Sequence, residues 1–62
     1  MRGTDVRRAR KHLGLTQTKF ARLLRVHRVS VARWESGAVE VTPPMAKLIR
    51  MIVKANVRTK GI

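Results

Sequence analysis

Apolar positions recur along the chain at three- and four-residue intervals, and the intervals stop at residues suited to helix ends. Thr4 and Asp5 read as an N-cap and a favourable first-turn acid. Val6, Ala9 and Leu13, with Arg10 beside them, then share one side as far as Gly14, a natural C′ residue, which predicts a helix over about 4–13. Thr16 caps a second helix predicted over 17–24, with Phe20, Ala21, Leu23 and Leu24 on one side. After the break at Arg25-Val26-His27, a third helix over 28–35 turns Val31 and Trp34 inward and stops at Ser36-Gly37. A loop over 38–41 leads to Thr42, the cap of a fourth helix over 43–56, in which Pro43 and Pro44 fall where no amide donor is required. Its inward stripe is Met45, Leu48, Ile49 and Ile52, and residues 57–62 form a tail. Only Val39-Glu40-Val41 alternates in the manner of a strand, and it has no mate. The pattern predicts an all-α, compact four-helix domain over 1–62, five helices if the tail adds one.

Composition narrows the function. A chain of 62 residues supports one small core and no spacious two-lobed active site. It has no cysteine, so neither a disulfide framework nor a thiolate zinc site is expected, and two histidines do not complete a metal shell. No acid or nucleophile is placed to use His12 or His27, so no catalysis and no cofactor are expected. The start lacks the apolar core of a signal peptide and no apolar run spans a membrane, which makes a cytoplasmic protein the expectation. Apolar residues are 44% of the chain, too many for a disordered tail. Fifteen Lys and Arg stand against three Asp and Glu, a formal charge of +12, so the expected partner is a polyanion.

The stretch from Gln17 to Glu35 carries the sharpest signal. Phe20, Ala21 and Leu24 of the second helix, with Val26, Val31 and Trp34, hold two short helices at a steep angle across a short turn. Trp34 reads as core rather than as a base-stacking platform. The outer face of the third helix then holds Arg28, Val29, Ala32 and Arg33. A valine flanked by arginines suits a major groove, where arginine pairs with guanine O6 and N7 and small apolar groups meet thymine methyls. Lys19 sits in the first turn of the second helix, where a cation opposes the helix dipole. A phosphate held there by Thr16, Gln17 and the first-turn amides removes the conflict.

The set Leu15-Thr16-Gln17, Phe20-Ala21, Leu24, Val26, Ser30-Val31, Trp34-Glu35 and Gly37 resembles the Cro/C1-type helix-turn-helix of lambdoid phage repressors. The broader group includes xenobiotic-response-element-like regulators and small antitoxins. The resemblance covers residues 4 to 54 and implies a lambda-repressor-like DNA-binding domain, usually dimeric on a near-palindromic operator. It places Gln17 on a phosphate, Arg28, Val29 and Arg33 toward bases and Ser30 near the DNA backbone. It also pairs Arg10 with Glu35 in a partly buried salt bridge between the first and third helices.

Two positions depart from the family pattern. Arg25 stands where the family usually has glycine at a turn that favours positive φ, a cost on the order of 1 kcal/mol. The 38–41 loop lacks the basic residues common in relatives, so phosphate contacts are assigned to Arg7, Arg8, Lys11, Lys19, Arg22 and Arg25, with His27 and Ser36 as further polar contacts.

The expected function is a transcriptional repressor of a small operon, its own gene included, acting in a prokaryotic or phage-infected cell by occupying double-stranded operator DNA. No membrane role and no small-molecule effector are expected. The alternative is an antitoxin that neutralises a toxin partner and autoregulates. Surplus apolar residues at Val39, Val41, Met51, Val53 and Val57 suggest a homodimer through the fourth helix and the 38–41 loop, which would set two third helices about 34 Å apart.

Overall fold

A computed structural model describes the backbone of residues 1–60 and the side chains of residues 1–55. Four helices follow in order: α1 Gly3–His12, α2 Gln17–Leu24, α3 Arg28–Ser36 and α4 Pro43–Lys60. The first three lie within a residue of the expected spans. The fourth runs on past residue 56 to Lys60, because no glycine or proline interrupts the chain there. No strand occurs among the described residues, and none of the described helices is long and apolar enough to cross a membrane.

Each helix start has a visible local cause. Thr4 is not the first cap. Instead α1 begins one residue earlier, and the Asp5 carboxylate accepts a hydrogen bond from the Arg2 amide at 3.0 Å, which satisfies an otherwise orphaned donor. At α2 the Thr16 hydroxyl accepts from the Lys19 amide at 3.1 Å, and at α3 the His27 Nδ1 accepts from the Val29 amide at 3.1 Å.

Two helix ends share one backbone device. After α1 the amides of Gly14 and Leu15 donate to the carbonyls of Lys11 and Arg10, and after α2 the amides of Arg25 and Val26 donate to those of Arg22 and Ala21. Both are Schellman closures with a left-handed residue at C′. Gly14 meets that demand at φ 71°, whereas Arg25 holds φ 58°, ψ 43° and is the only described non-glycine residue at positive φ. Removing the β-carbon there should help. Arg25→Gly is expected to raise stability by about 0.5–1 kcal/mol in urea denaturation, the left-handed strain outweighing glycine's larger entropy loss. A loss of stability would show that the Arg25 side chain contributes more to the fold than its backbone costs.

The core gathers Val6, Phe20, Ala21, Leu24, Val31, Trp34, Val41, Ala46 and Ile49. Three expectations change here. Leu23 and Leu48, placed on inward stripes by spacing, are 49% and 39% exposed. Val41, placed at a pairing surface, is a core residue at 6% exposure and offers nothing to a partner. The α2 interior is complete with Phe20, Ala21 and Leu24, so Leu23 is left outside. On α4 the inward side centres on Ile49 and takes Ala46 in place of Leu48.

Helices α1 and α3 approach closely. A β-carbon added to Gly3 would lie 2.5 Å from the Trp34 carbonyl oxygen and 2.6 Å from that of Glu35. Those are backbone atoms and cannot rotate away. Gly3→Ala is therefore expected to cost about 1 kcal/mol, the low end of overpacking effects because only the first turn of α1 has to lift. Amide exchange should report it, with protection falling at Val6 and Arg7 before α2 or α3. Uniform protection would mean the contact is slack.

Candidate nucleic-acid interface

The surface expected to meet bases lies on α3. Val31 and Trp34 are buried and fix the inner side of this helix. At about 100° per residue the opposite side centres on Val29, with Ala32 and Arg33 beside it and Arg28 at the edge. Arg28, Val29 and Arg33 are exposed and Ala32 is half-buried between them, so the four residues expected to face bases form one continuous surface. A valine exposed between two arginines provides donors in a fixed fork geometry around an apolar centre, which is the chemistry a guanine edge next to a thymine methyl requires.

The third helix is held from behind by an ion pair. Arg10 Nε donates to Glu35 Oε2 at 2.7 Å and Arg10 Nη2 donates to Glu35 Oε1 at 3.1 Å, a bidentate arrangement. The remaining guanidinium nitrogen, Nη1, donates to the Leu15 carbonyl at 3.0 Å. Gln17 Nε2 reaches Glu35 Oε1 at 3.5 Å. One carboxylate on α3 thus gathers α1, and more loosely the start of α2, while Arg10 ties in the segment between them. The Arg10 and Glu35 side chains are 15% and 9% exposed. The hydrogen bond to Glu35, with its negative charge, raises the Arg10 pKa above the ordinary guanidinium value, and burial offsets part of this.

Residues assigned to phosphates divide into groups. Thr16 and Lys19 stand exposed at the start of α2, and Arg22 and Arg25 are exposed farther along. Gln17 is half-buried and its amide nitrogen points to Glu35, so its side chain does first a structural job. His27 spends Nδ1 on the α3 cap, which leaves Nε2 as its donor toward solvent. Ser36 is likewise engaged: its hydroxyl donates to the Arg33 carbonyl at 3.1 Å and accepts from the Ala38 amide at 3.4 Å. Ser30 is half-buried at the border of the α3 outer face.

Arg7, Arg8 and Lys11 line a groove between α1 and α4. Arg10 points to α3, and Arg8 lies about 160° round the helix from it. Helical spacing records that these residues are exposed but not which neighbour α1 turns them toward.

The expected pairing surface is also divided. Met51 is 58% exposed and Val39 45%, whereas Val53 is half-buried in the α1–α4 groove, about 160° round α4 from Met51. Val39 lies with Trp34, Gly37 and Glu40, at the end of α3. Val57 lies outside the described side chains. Leu23, which spacing had turned inward, instead shares a recess with Leu13, Leu15 and Ile52. Lys19 and Arg22 border the same recess, and Leu48 and Met51 stand exposed on the adjoining turn of α4.

No curated protein and no solved structure matches the chain. The sequence model of the helix-turn-helix family matches residues 6–57, from the first core residue of α1 into the last turn of α4. With that match and the contact between α2 and α3 in place, the chain belongs to the Cro/C1-type helix-turn-helix family of DNA-binding transcription regulators.

Proposed function

We propose that the protein represses transcription by occupying a near-palindromic operator as a homodimer, with α3 of each copy in the major groove. The observation that carries this reading is the outer face of α3, where Arg28, Val29 and Arg33 are exposed around Ala32 and the helix is anchored behind by Glu35. Arg28 and Arg33 pair with guanines, and Val29 and Ala32 meet thymine methyls. Thr16, Lys19, Arg22, Arg25 and His27 Nε2, which precede that helix, and Ser30 at the edge of its outer face take phosphates, which set the register but read no sequence. A bound operator excludes polymerase, so repression needs only occupancy.

The dimer half of the proposal rests on the exposed Leu23, Leu48 and Met51, which are 49%, 39% and 58% exposed. Burying them against a second copy adds apolar contact to a small domain, and two half-site contacts then combine through effective concentration. Footprinting on DNA upstream of the protein's own gene tests the reading. The expected result is two protected half-sites about one helical turn apart. Met51→Lys should reduce affinity for the full site toward that for a half-site and leave half-site binding unchanged. A single half-site footprint, unaffected by Met51→Lys, would overturn the dimer, and equal protection of unrelated DNA would overturn operator recognition.

A further inference from the structure

The positive charge is not confined to the side that α3 presents. Between α1 and α4 runs an open groove of about 920 Å³. Ala9 and Val53, both half-buried, line its floor over the buried Ile49. Arg8 and Lys11 of α1 and Arg50 of α4 stand exposed along its rims. None of the described residues that line it is acidic. We infer that this groove docks an acidic amphipathic helix of another protein.

Charge and polarity select that occupant. A phosphate backbone laid in the groove would press ionised oxygens against Ala9 and Val53, which offer no hydrogen bond. A second copy of this chain brings too little negative charge. Of its three acids, Asp5 is engaged with the Arg2 amide and Glu35 with Arg10, and only Glu40 is left. Self-docking would therefore set cations against cations. A helix with an apolar stripe and carboxylates on both flanks satisfies floor and rims together. The ten residues of α1 extend about 15 Å, which accommodates some three turns of a partner helix with anchors at i, i+3 or i+4, and i+7. This surface is distinct from the α3 face, and on α4 Val53 lies well round the helix from Met51, so docking goes beyond operator recognition and does not depend on it.

The probe is a labelled three-turn peptide with leucines at i, i+3, i+4 and i+7 and glutamates elsewhere, titrated into the full chain. Amide chemical shifts should move at Arg8, Lys11, Arg50 and Val53, and the peptide should bind about tenfold or more tighter than its scrambled version of equal charge. The exposed pair Arg8→Glu with Arg50→Glu should reduce binding about tenfold or more, while Lys47→Glu with Lys54→Glu, which do not line the groove, should leave most of it. Equal binding of the scrambled peptide, equal loss in both paired variants, or shifts confined to residues 28–33 would each overturn the docking site. Tighter binding of the groove residues to anionic phosphatidylglycerol vesicles than to the peptide would assign the surface to a membrane and overturn it as well.

Discussion

Replacing Glu35 by alanine is expected to cost about 3 kcal/mol of stability, the low end for breaking a buried ion pair because some solvent still reaches these side chains. The substitution strands the Arg10 guanidinium at 15% exposure with one hydrogen bond, to the Leu15 carbonyl, and releases the side chain of Gln17. A single core at this length rarely supplies more than about 3–5 kcal/mol, so the variant should be largely unfolded at physiological temperature. Most of that cost is the uncompensated cation rather than the value of the pair. Glu35→Leu combined with Arg10→Met should therefore recover much of the stability. Since the folded Arg10 pKa lies above its ordinary value, the contribution of the pair through Arg10 is fully present below the ordinary guanidinium pKa and lost only as pH rises through the folded value. Urea denaturation of the double-mutant cycle decides the matter. Additive losses, with no coupling between Arg10 and Glu35, would show that the pair does not join α1 to α3.

Arg33→Ala should weaken operator binding by about 1–3 kcal/mol, roughly 5- to 150-fold, and relax sequence preference at one position in each half-site. Because Arg33 is exposed, stability should change by no more than about 0.5 kcal/mol, which separates recognition from folding. Lys19→Ala supplies the contrast. It should weaken binding to all sequences alike and reduce the salt slope by about one. Titration of single-base operator variants at two salt concentrations reads both effects. An unchanged ranking of operator variants with Arg33→Ala would mean that this side chain does not read a base.

The α3 outer face was legible early because an amphipathic helix has only one way to bury Val31 and Trp34. Once those two turn inward, Arg28, Val29, Ala32 and Arg33 are left outside whatever the rest of the fold does. The strained turn was legible only through the family resemblance, which has glycine where Arg25 stands, and the Schellman closure after α2 holds Arg25 left-handed. The Arg10–Glu35 pair came from the family resemblance, not from spacing. Its residues are 25 positions apart, and no local pattern connects them.

Local sequence thus determined the bounds of α1, α2 and α3 to within a residue and which residues crowd the outer side of α3, because capping and periodicity act over a few residues. Tertiary packing alone decided how much of the surplus apolar surface stays wet. A 3.6-residue repeat tolerates a rotation that exchanges Leu48 for Ala46, and only the neighbours of α4 select one. The same packing put Val41 in the core, pressed Gly3 against the α3 backbone and turned Arg8 and Lys11 toward α4, contacts between segments far apart in the chain that helical spacing does not encode.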